Sequence, residues 1–284
     1  MATNNFKAFG IGAGANVTSQ TDYEALTALL TGFQSGKASS AQINKALRQS
    51  STMSYVLAQF ISDSLNADVL DNGAPANILA SMKAAMTKLT PGRLLNVQTL
   101  TQSGMYTKTP GTNLIFVRLW GAGGGGGNTS VVGGGGSGAG GGYCEGIFDA
   151  SYFSTTTFIV GLGGVAVAGN TQANGGSGGR TQFGNLIGAS GGGGGGSIAA
   201  GGIPDLGANR LAVYGQSGQG SQGGIGGVGG STFGSFGGLP HASSPGDAGS
   251  FPGGGGAGGT KIATSQYFAS GAGANGLIII EEYS

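Results

Sequence analysis

Apolar residues recur at helical spacing through the first 90 residues of the chain, and a start signal precedes each series. Thr21 with Glu24 and Ser39 with Gln42 fit capping boxes, and Pro75 fits the first turn of a third helix. The apolar faces of the three predicted helices contain Leu26, Leu29, Leu30 and Phe33; Ile43, Leu47, Met53, Leu57, Phe60, Ile61 and Leu65; and Ile78, Leu79, Met82, Met86 and Leu89. Helices of this size bury little surface alone, so we expect a partner chain or a neighbouring protein to cover them.

Beyond residue 93 the apolar period changes to two, which is typical of β-strands. Gly104 and the Pro110–Gly111 pair are predicted turns, and Trp120 at the end of a strand is predicted to fill the core. The predicted strands cover residues 97–101, 114–120, 155–160 and 277–280.

Glycine dominates the sequence after residue 120. Nine of the 66 glycines precede residue 121, and the other 57 lie between residues 121 and 276. A strand-like run stands at each end of this glycine region, residues 114–120 before it and residues 277–280 after it. This arrangement predicts that one sheet receives both ends of the region.

The interruptions of the glycine region are apolar rather than charged, which argues against the alternative of a solvated flexible linker. The strict three-residue repeat of collagen is absent. Glycine-rich segments can instead adopt the extended polyproline II geometry and pack side by side, because no Cβ atom holds them apart. The sequence therefore predicts an α+β protein, with an α-helical region over residues 1–92. Residues 93–284 are predicted to form a β-sandwich that carries packed polyglycine II (polyproline II-like) rods.

Charge and composition exclude several classes of function. The net charge is +1 and charged residues make up 8% of the chain, so we predict no nucleic-acid binding. Cys144 is the only cysteine, which excludes an internal disulfide. No apolar run reaches membrane-spanning length, and MATNNFKAFG lacks the hydrophobic core of a signal peptide. The chain is expected to be made in the cytoplasm, without a signal peptide or membrane insertion, and release by lysis stays open.

Residues that could support catalysis are few and scattered. His241 is the only histidine, and it lies in the turn-like stretch LPHASSPG without an acid or a nucleophile in its sequence context, so it is predicted to be a surface residue. The G-x-G-x-x-G matches lack the strand-to-helix context of a nucleotide site. The acids Glu145, Asp149, Asp205 and Asp247 have no spacing that fixes a catalytic pair. We therefore predict that the chain is not an enzyme and has no cofactor or metal.

The glycine region contains, in order, LWGAGGGGG, GGGGSGAGGGYCEG, FIVGLGG, NGGSGGRTQFGN, ASGGGGGG and GANGLIIIEEY. This succession resembles the glycine-rich domain at the ends of many bacteriophage tail fibres. It is similar in character to the polyglycine-rod adhesins of T-even-like phages and to the glycine-rich ectodomain of a family of animal receptor kinases. The N-terminal FKAFGIGAGANVTSQTDYEALTALLTGFQSGKASSAQINKALRQSS resembles the virion-attachment segment of phage and prophage tail-fibre proteins. The two resemblances leave residues 67–93 as a connector.

The resemblance implies a homotrimeric fibre on the virion, with a β-sandwich tip that binds the bacterial surface. Residues 1–92 would attach to other tail or baseplate proteins, and the tip would bind a host outer-membrane protein or lipopolysaccharide. One departure is that the chain has no long shaft repeat, so the fibre would be short.

Glycine rods carry no side-chain information, so we expect receptor specificity in the longer interruptions at residues 197–206, 209–214 and 232–245. An alternative is that Phe233 and Phe236 cap the ends of the rods. A non-adhesive structural spacer or tip-closing virion protein is the second functional hypothesis, and an enzyme that degrades surface polysaccharide is the third. The candidate receptor contacts are Ile198, Ile203, Leu206, Tyr214, Phe233, Phe236, Leu239 and His241.

Overall fold

The computed structural model of the chain describes residues 2–34, 39–129, 132–196, 199–263 and 266–284. Its mixture of α-helices and antiparallel β-sheets is consistent with the predicted α+β class. The chain divides into two compact units, Met1–Pro91 and Gly92–Ser284. Among the described residues, no helix combines the length and hydropathy needed to cross a bilayer.

The first unit contains the helices. The predicted capping box of Ser39 and Gln42 is present, and Pro75 occupies the first turn of its helix as predicted. The helices are α1 (Gln20–Glu24), α2 (Ala28–Thr31), α3 (Ser40–Leu65) and α4 (Pro75–Lys88).

The prediction of one continuous first helix, begun by a Thr21–Glu24 capping box, is wrong. Ser19 caps α1 instead, and its hydroxyl accepts a hydrogen bond of 3.1 Å from the Asp22 N–H. Ser19 can satisfy this free first-turn donor before Thr21 is reached, so the helix begins earlier. The chain then leaves helical geometry between α1 and α2, and α2 ends at Gly32 with a φ of 76°.

The core of the first unit is small. Ala58, Ile61 and Val69 are buried, and Phe6, Leu65, Ile78 and Met82 pack against them. On another face of α3, Ile43, Leu47, Met53, Val56, Leu57 and Phe60 are exposed. This unit leaves much of its predicted apolar surface open within one chain.

The second unit contains the strands. Gly104, predicted as a turn residue, is instead the first residue of a strand paired with Phe158. The strands are β1 (Leu94–Leu100), β2 (Gly104–Thr107), β3 (Leu114–Trp120), β4 (Gly133–Gly134), β5 (Tyr143–Asp149), β6 (Thr155–Ile159), β7 (Thr181–Phe183), β8 (Ile187–Ala189), β9 (Pro204–Leu206), β10 (Leu211–Val213), β11 (Thr260–Ala263), β12 (Gln266–Phe268) and β13 (Leu277–Tyr283).

Two five-stranded antiparallel sheets contribute side chains to one hydrophobic core. Their strand orders are β1-β13-β3-β5-β10 and β2-β6-β7-β8-β9, and a third sheet has the order β12-β11-β4. Val117 and Ile278 come from the first sheet, and Tyr106 and Phe183 come from the second. The Tyr106 and Phe183 rings meet edge to face with centroids 5.1 Å apart.

A buried carboxylate joins the last strand to this core. Glu282 is fully buried and accepts hydrogen bonds from the Tyr106 hydroxyl, from the Thr109 hydroxyl and N–H, and from the Gln98 side-chain amide. Burial alone would raise the pKa of Glu282, but these hydrogen bonds outweigh that effect and lower it. Burial, together with the contact to Glu282, raises the pKa of Tyr106.

Both ends of the glycine region enter the same sheet, as predicted. β3 pairs with β13 along its whole length, and Trp120 at the start of the region lies opposite Leu277 at its end. Trp120 is 8% exposed and packs with Tyr143, so it is a core residue as predicted. The region therefore leaves the sheet at the end of β3 and re-enters it at the start of β13, the neighbouring strand.

The glycine segments outside the strands are held by a hydrogen-bond pattern that repeats every three residues. The amides of Gly121, Gly124 and Gly127 donate to carbonyls of residues 136–142. The next set, residues 122, 125 and 128, donates to residues 173–179. The third set, residues 123 and 126, donates to residues 271–274. Three residues per turn is the period of polyproline II, and it differs from the period of two in a strand.

Three more segments donate hydrogen bonds back to the carbonyls of residues 121–127, so six segments surround this one. Ala122 is accommodated in this packing, but at the neighbouring glycines the approach leaves no room for a Cβ atom. A Cβ on Gly124 would lie 2.0 Å from the Gly193 carbonyl oxygen, and one on Gly126 would lie 1.9 Å from that of Ala257. The glycines therefore make dense backbone packing possible and fix the positions of the turns and side chains between them.

Candidate functional site

A tight turn connects two glycine segments at residues 232–235. Thr232 and Ser235 exchange two backbone hydrogen bonds of 3.2 Å, which leaves Phe233 and Gly234 at the tip. Gly234 has a φ of 73°, a left-handed conformation that glycine adopts without steric cost. The Thr232 hydroxyl also donates to the Gly141 carbonyl, so the turn is anchored to the glycine segments.

Phe233 belongs to an aromatic stack that continues into the fold. Its ring stacks on Tyr143 with centroids 4.4 Å apart, and Tyr143 packs against Trp120 at 4.8 Å. The Trp120 indole N–H donates to the Phe233 carbonyl oxygen at 2.8 Å. Phe233 is still 44% exposed. These contacts favour a capping role for Phe233 at one end of the glycine segments.

Phe236 and Leu239 lie in a groove of about 470 Å³ on the side of the glycine segments. Phe236 is 75% exposed and Leu239 is 58% exposed. The groove runs across residues 216–219, 228–231, 236–239 and 247–250. Its wall also contains the polar residues Gln216, Gln219, Ser231, Asp247 and Ser250.

The backbone beneath the groove is fixed by hydrogen bonds between neighbouring segments. The Ser250 N–H donates to the Phe236 carbonyl at 2.9 Å, and the Asp247 N–H donates to the Leu239 carbonyl at 3.0 Å. Gly238 donates to Gly255 at 2.9 Å. The side chains that line the groove therefore project from a preorganised surface.

His241 adjoins the groove through Asp247. The two side chains approach to 3.0 Å, and the His241 side chain is 40% exposed. Asp247 itself lines the groove. The pair thus connects the loop at residues 240–245 to the groove wall.

The other candidate contacts do not line this groove. Ile203 is 45% exposed and donates its N–H to the Ser190 hydroxyl. Leu206 is partly buried in β9, and Tyr214 is 69% exposed directly after β10. Ile198 lies outside the described residues. Among the seven candidates that the structure describes, only Phe236, Leu239 and, through Asp247, His241 come together at the groove.

Residues of the glycine segments also line this groove, and they lie outside the sequence-predicted contacts. Gln216 and Gln219 are three residues apart, and so are Val228 and Ser231. At three residues per turn this spacing puts each pair on one side of its segment. A search for non-glycine residues at intervals of three would have found both pairs.

Each acid of the glycine region has its own partner. Asp205 pairs with Arg180 through two contacts of 2.7 and 2.9 Å, and this pairing raises the pKa of Arg180. The Ser151 side chain and, at 2.7 Å, the Ser151 N–H donate hydrogen bonds to Asp149 and lower its pKa. The remaining acids, Glu145 and Asp247, pair with Tyr143 and His241.

Cys144 is buried in the core and its thiol donates to the Gly188 carbonyl at 3.3 Å. Burial raises the pKa of this thiol to about 12, so little reactive thiolate forms at neutral pH. Within the part of the chain that the structure describes, no three His, Cys, Asp or Glu side chains cluster as metal ligands would.

No protein-family model matches the sequence, and no curated protein matches it significantly.

Proposed function

We propose that this chain is a bacteriophage tail fibre whose glycine-rich tip binds a receptor on the bacterial surface. Residues 1–92 attach it to other virion proteins, and residues 93–284 form the tip. In this proposal the two five-stranded sheets form a β-sandwich, and the glycine segments are polyglycine II rods. The fibre is a homotrimer on the virion.

The groove beside Phe236 carries the proposal. Phe236 is 75% exposed, and an exposed aromatic side chain lowers the solubility of a protein. Exposed apolar groups in a depression with a polar rim are typical of binding surfaces. Backbone hydrogen bonds between the glycine segments hold the base of this groove in place. A spacer protein has no need of such a surface, so the groove favours adhesion over the purely structural alternative.

The groove also favours binding over hydrolysis. Glycoside hydrolysis generally needs two carboxyl groups on opposite sides of the scissile bond. Among the described residues that line the groove, Asp247 supplies a carboxylate and the other polar groups are amides and hydroxyls. A surface-polysaccharide hydrolase would release reducing sugar from host polysaccharide, which a colorimetric assay measures directly.

The trimer supplies avidity. The exposed apolar face of α3 gives three copies a surface to cover, and three tips on each fibre multiply a weak contact. A mass measurement in solution tests this part of the proposal, and a stable monomer at working concentration would contradict it.

The test of adhesion uses virus particles assembled with the full chain and with a chain that lacks residues 93–284. We expect the truncated particles to retain the N-terminal region, seen by mass spectrometry, and to lose adsorption to their host. Intact particles that adsorb equally well without the tip would establish the spacer function instead. Exchange of residues 232–245 for the segment of a fibre with another host then tests whether this loop and the groove set the host range.

A further inference from the structure

The walls of the Phe236 groove combine one aromatic ring with several hydrogen-bonding side chains. We propose that this groove binds a neutral oligosaccharide, with Phe236 as the stacking platform for a sugar ring. The inference rests on the proposed function, because it names the ligand class for the same surface.

The aromatic ring matches one face of a sugar. Phe236 projects from its segment with three quarters of its surface exposed, while its carbonyl accepts the Ser250 N–H. The face of an aromatic ring is electron-rich and attracts the polarised C–H groups on the flat face of a pyranose. Leu239, one turn further along the same segment, extends this apolar floor.

The polar residues match the edges of a sugar. Gln216 and Gln219 line the groove, and the Oε1 atom of the Gln216 side-chain amide already accepts the Ser231 N–H at 3.1 Å. That bond orients the Gln216 amide and leaves its two N–H donors available. One Asp247 oxygen contacts His241, and the carboxylate has further acceptor positions for hydroxyl groups. Hydroxyls donate and accept, so a ring with alternating hydroxyls satisfies both kinds of group.

The charge and size of the groove further restrict the class of ligand that it can bind. Its described lining contains the Asp247 carboxylate, which repels a phosphate group, and no lysine or arginine, the side chains that most often bind one. A neutral saccharide is therefore favoured over a phosphorylated one. The volume of about 470 Å³ falls in the range of small-ligand sites, about 300–1,000 Å³. A protein receptor would instead cover about 800 Å² of surface on each partner.

The first arm of the test measures binding of the full-length protein to host cells after two treatments. Periodate cleaves vicinal diols of surface saccharides, and proteinase K removes exposed protein. We expect periodate to abolish binding and protease to spare it. Purified surface polysaccharide should compete equally before and after its phosphates are removed with hydrofluoric acid.

The second arm assigns the groove. Phe236→Ala should weaken cell binding about tenfold or more, as expected for loss of a central anchor. Tyr152→Ala removes an aromatic side chain that is 87% exposed elsewhere in the same unit, and it should change binding less than about twofold. Unchanged thermal unfolding of Phe236→Ala would show that the loss does not come from misfolding.

Each contrary result has its own meaning. Binding that is lost to protease and survives periodate would overturn the saccharide inference and leave adhesion to a protein receptor intact. Periodate-sensitive binding that Phe236→Ala leaves unchanged would overturn the assignment to this groove. If only phosphorylated polysaccharide competes, the inference that the ligand is neutral would be overturned. No binding to untreated host cells would contradict the proposed function itself.

Discussion

The ring of Phe233 lies on the ring of Tyr143, with centroids 4.4 Å apart and planes inclined by 18°. Phe236, three residues later, is 75% exposed and lines the groove. The two phenylalanines were equivalent candidates in the sequence. Their contacts give them different roles, one in holding the turn against the sheet and one in presenting a surface.

This difference leads to a paired prediction. Phe233→Ala should lower the free energy of unfolding by about 1–2 kcal/mol, because it removes a stacked ring and uncovers Tyr143. Phe236→Ala should change it by no more than about 0.5 kcal/mol, because its ring is mostly in water. Urea unfolding of the two variants tests the difference, and equal destabilisation would contradict the assigned roles.

Adjacent glycines in one run should differ sharply in their tolerance to alanine. A Cβ on Gly194 would lie 1.9 Å from the Gly175 carbonyl oxygen, whereas one on Gly193 would have its nearest contacts with Ala200 at 3.1 Å. We expect Gly194→Ala to cost about 3 kcal/mol and Gly193→Ala to stay within about 1 kcal/mol of the wild type. Thermal unfolding and protease resistance measure both. If neither change alters thermal unfolding or protease resistance, the run behaves as a flexible linker, which would contradict the close packing of the glycine segments.

The buried Glu282 carboxylate should make the second unit sensitive to acid. Its pKa is lowered in the folded state, so its contribution to stability is complete above its unfolded pKa of about 4.3 and is lost as the pH falls through the folded value. Glu282→Gln should reduce stability at pH 7 by about 1–3 kcal/mol and weaken the dependence on pH below about 4. Urea unfolding at pH values from about 2 to about 7 measures both effects.

Glu281→Gln is the matched control for this experiment. Glu281 is the adjacent residue, and it pairs with Arg118 on a side of the sheet where both side chains keep some contact with water. Its replacement should cost less, about 0–1 kcal/mol. An acid profile that is the same for Glu282→Gln and the wild type would show that other carboxylates dominate.

Cys144 offers a direct measure of opening in the sheet core. The folded protein should resist a thiol reagent such as DTNB at mildly alkaline pH, because burial raises the thiol pKa to about 12 and blocks access. The urea-unfolded chain should react fully under the same conditions. Gly194→Ala should accelerate the reaction of the folded protein, and rapid labelling of the wild type would show that the core opens readily.

Local signals in the sequence predicted the local elements well. The Ser39–Gln42 capping box and Pro75 mark the starts of α3 and α4, because each acts within one helical turn. The first helix was mispredicted since Ser19 and Thr21 are both competent caps two residues apart. Choosing between them depends on which amide each hydroxyl reaches in space.

The groove could not be predicted in the same way. Gln216 and Asp247 are far apart in the sequence, and they line one depression because several glycine segments pack between them. Side-chain pattern could predict that the segments are extended, but the order in which they neighbour one another depends on backbone hydrogen bonds that leave no residue signature. The pairing of β3 with β13 was predictable because both strands carry apolar side chains.

The amides of residues 121–127 point in three directions in turn, so each residue's position in the segment determines which neighbour its N–H reaches. Loss of one residue would turn every later amide by about 120°, away from its own acceptor and toward that of a different neighbour. Loss of three residues would shorten the segment by one turn and return each amide to an equivalent direction. Insertions and deletions compatible with this packing therefore come in multiples of three residues, a counting rule imposed on the protein by its backbone alone.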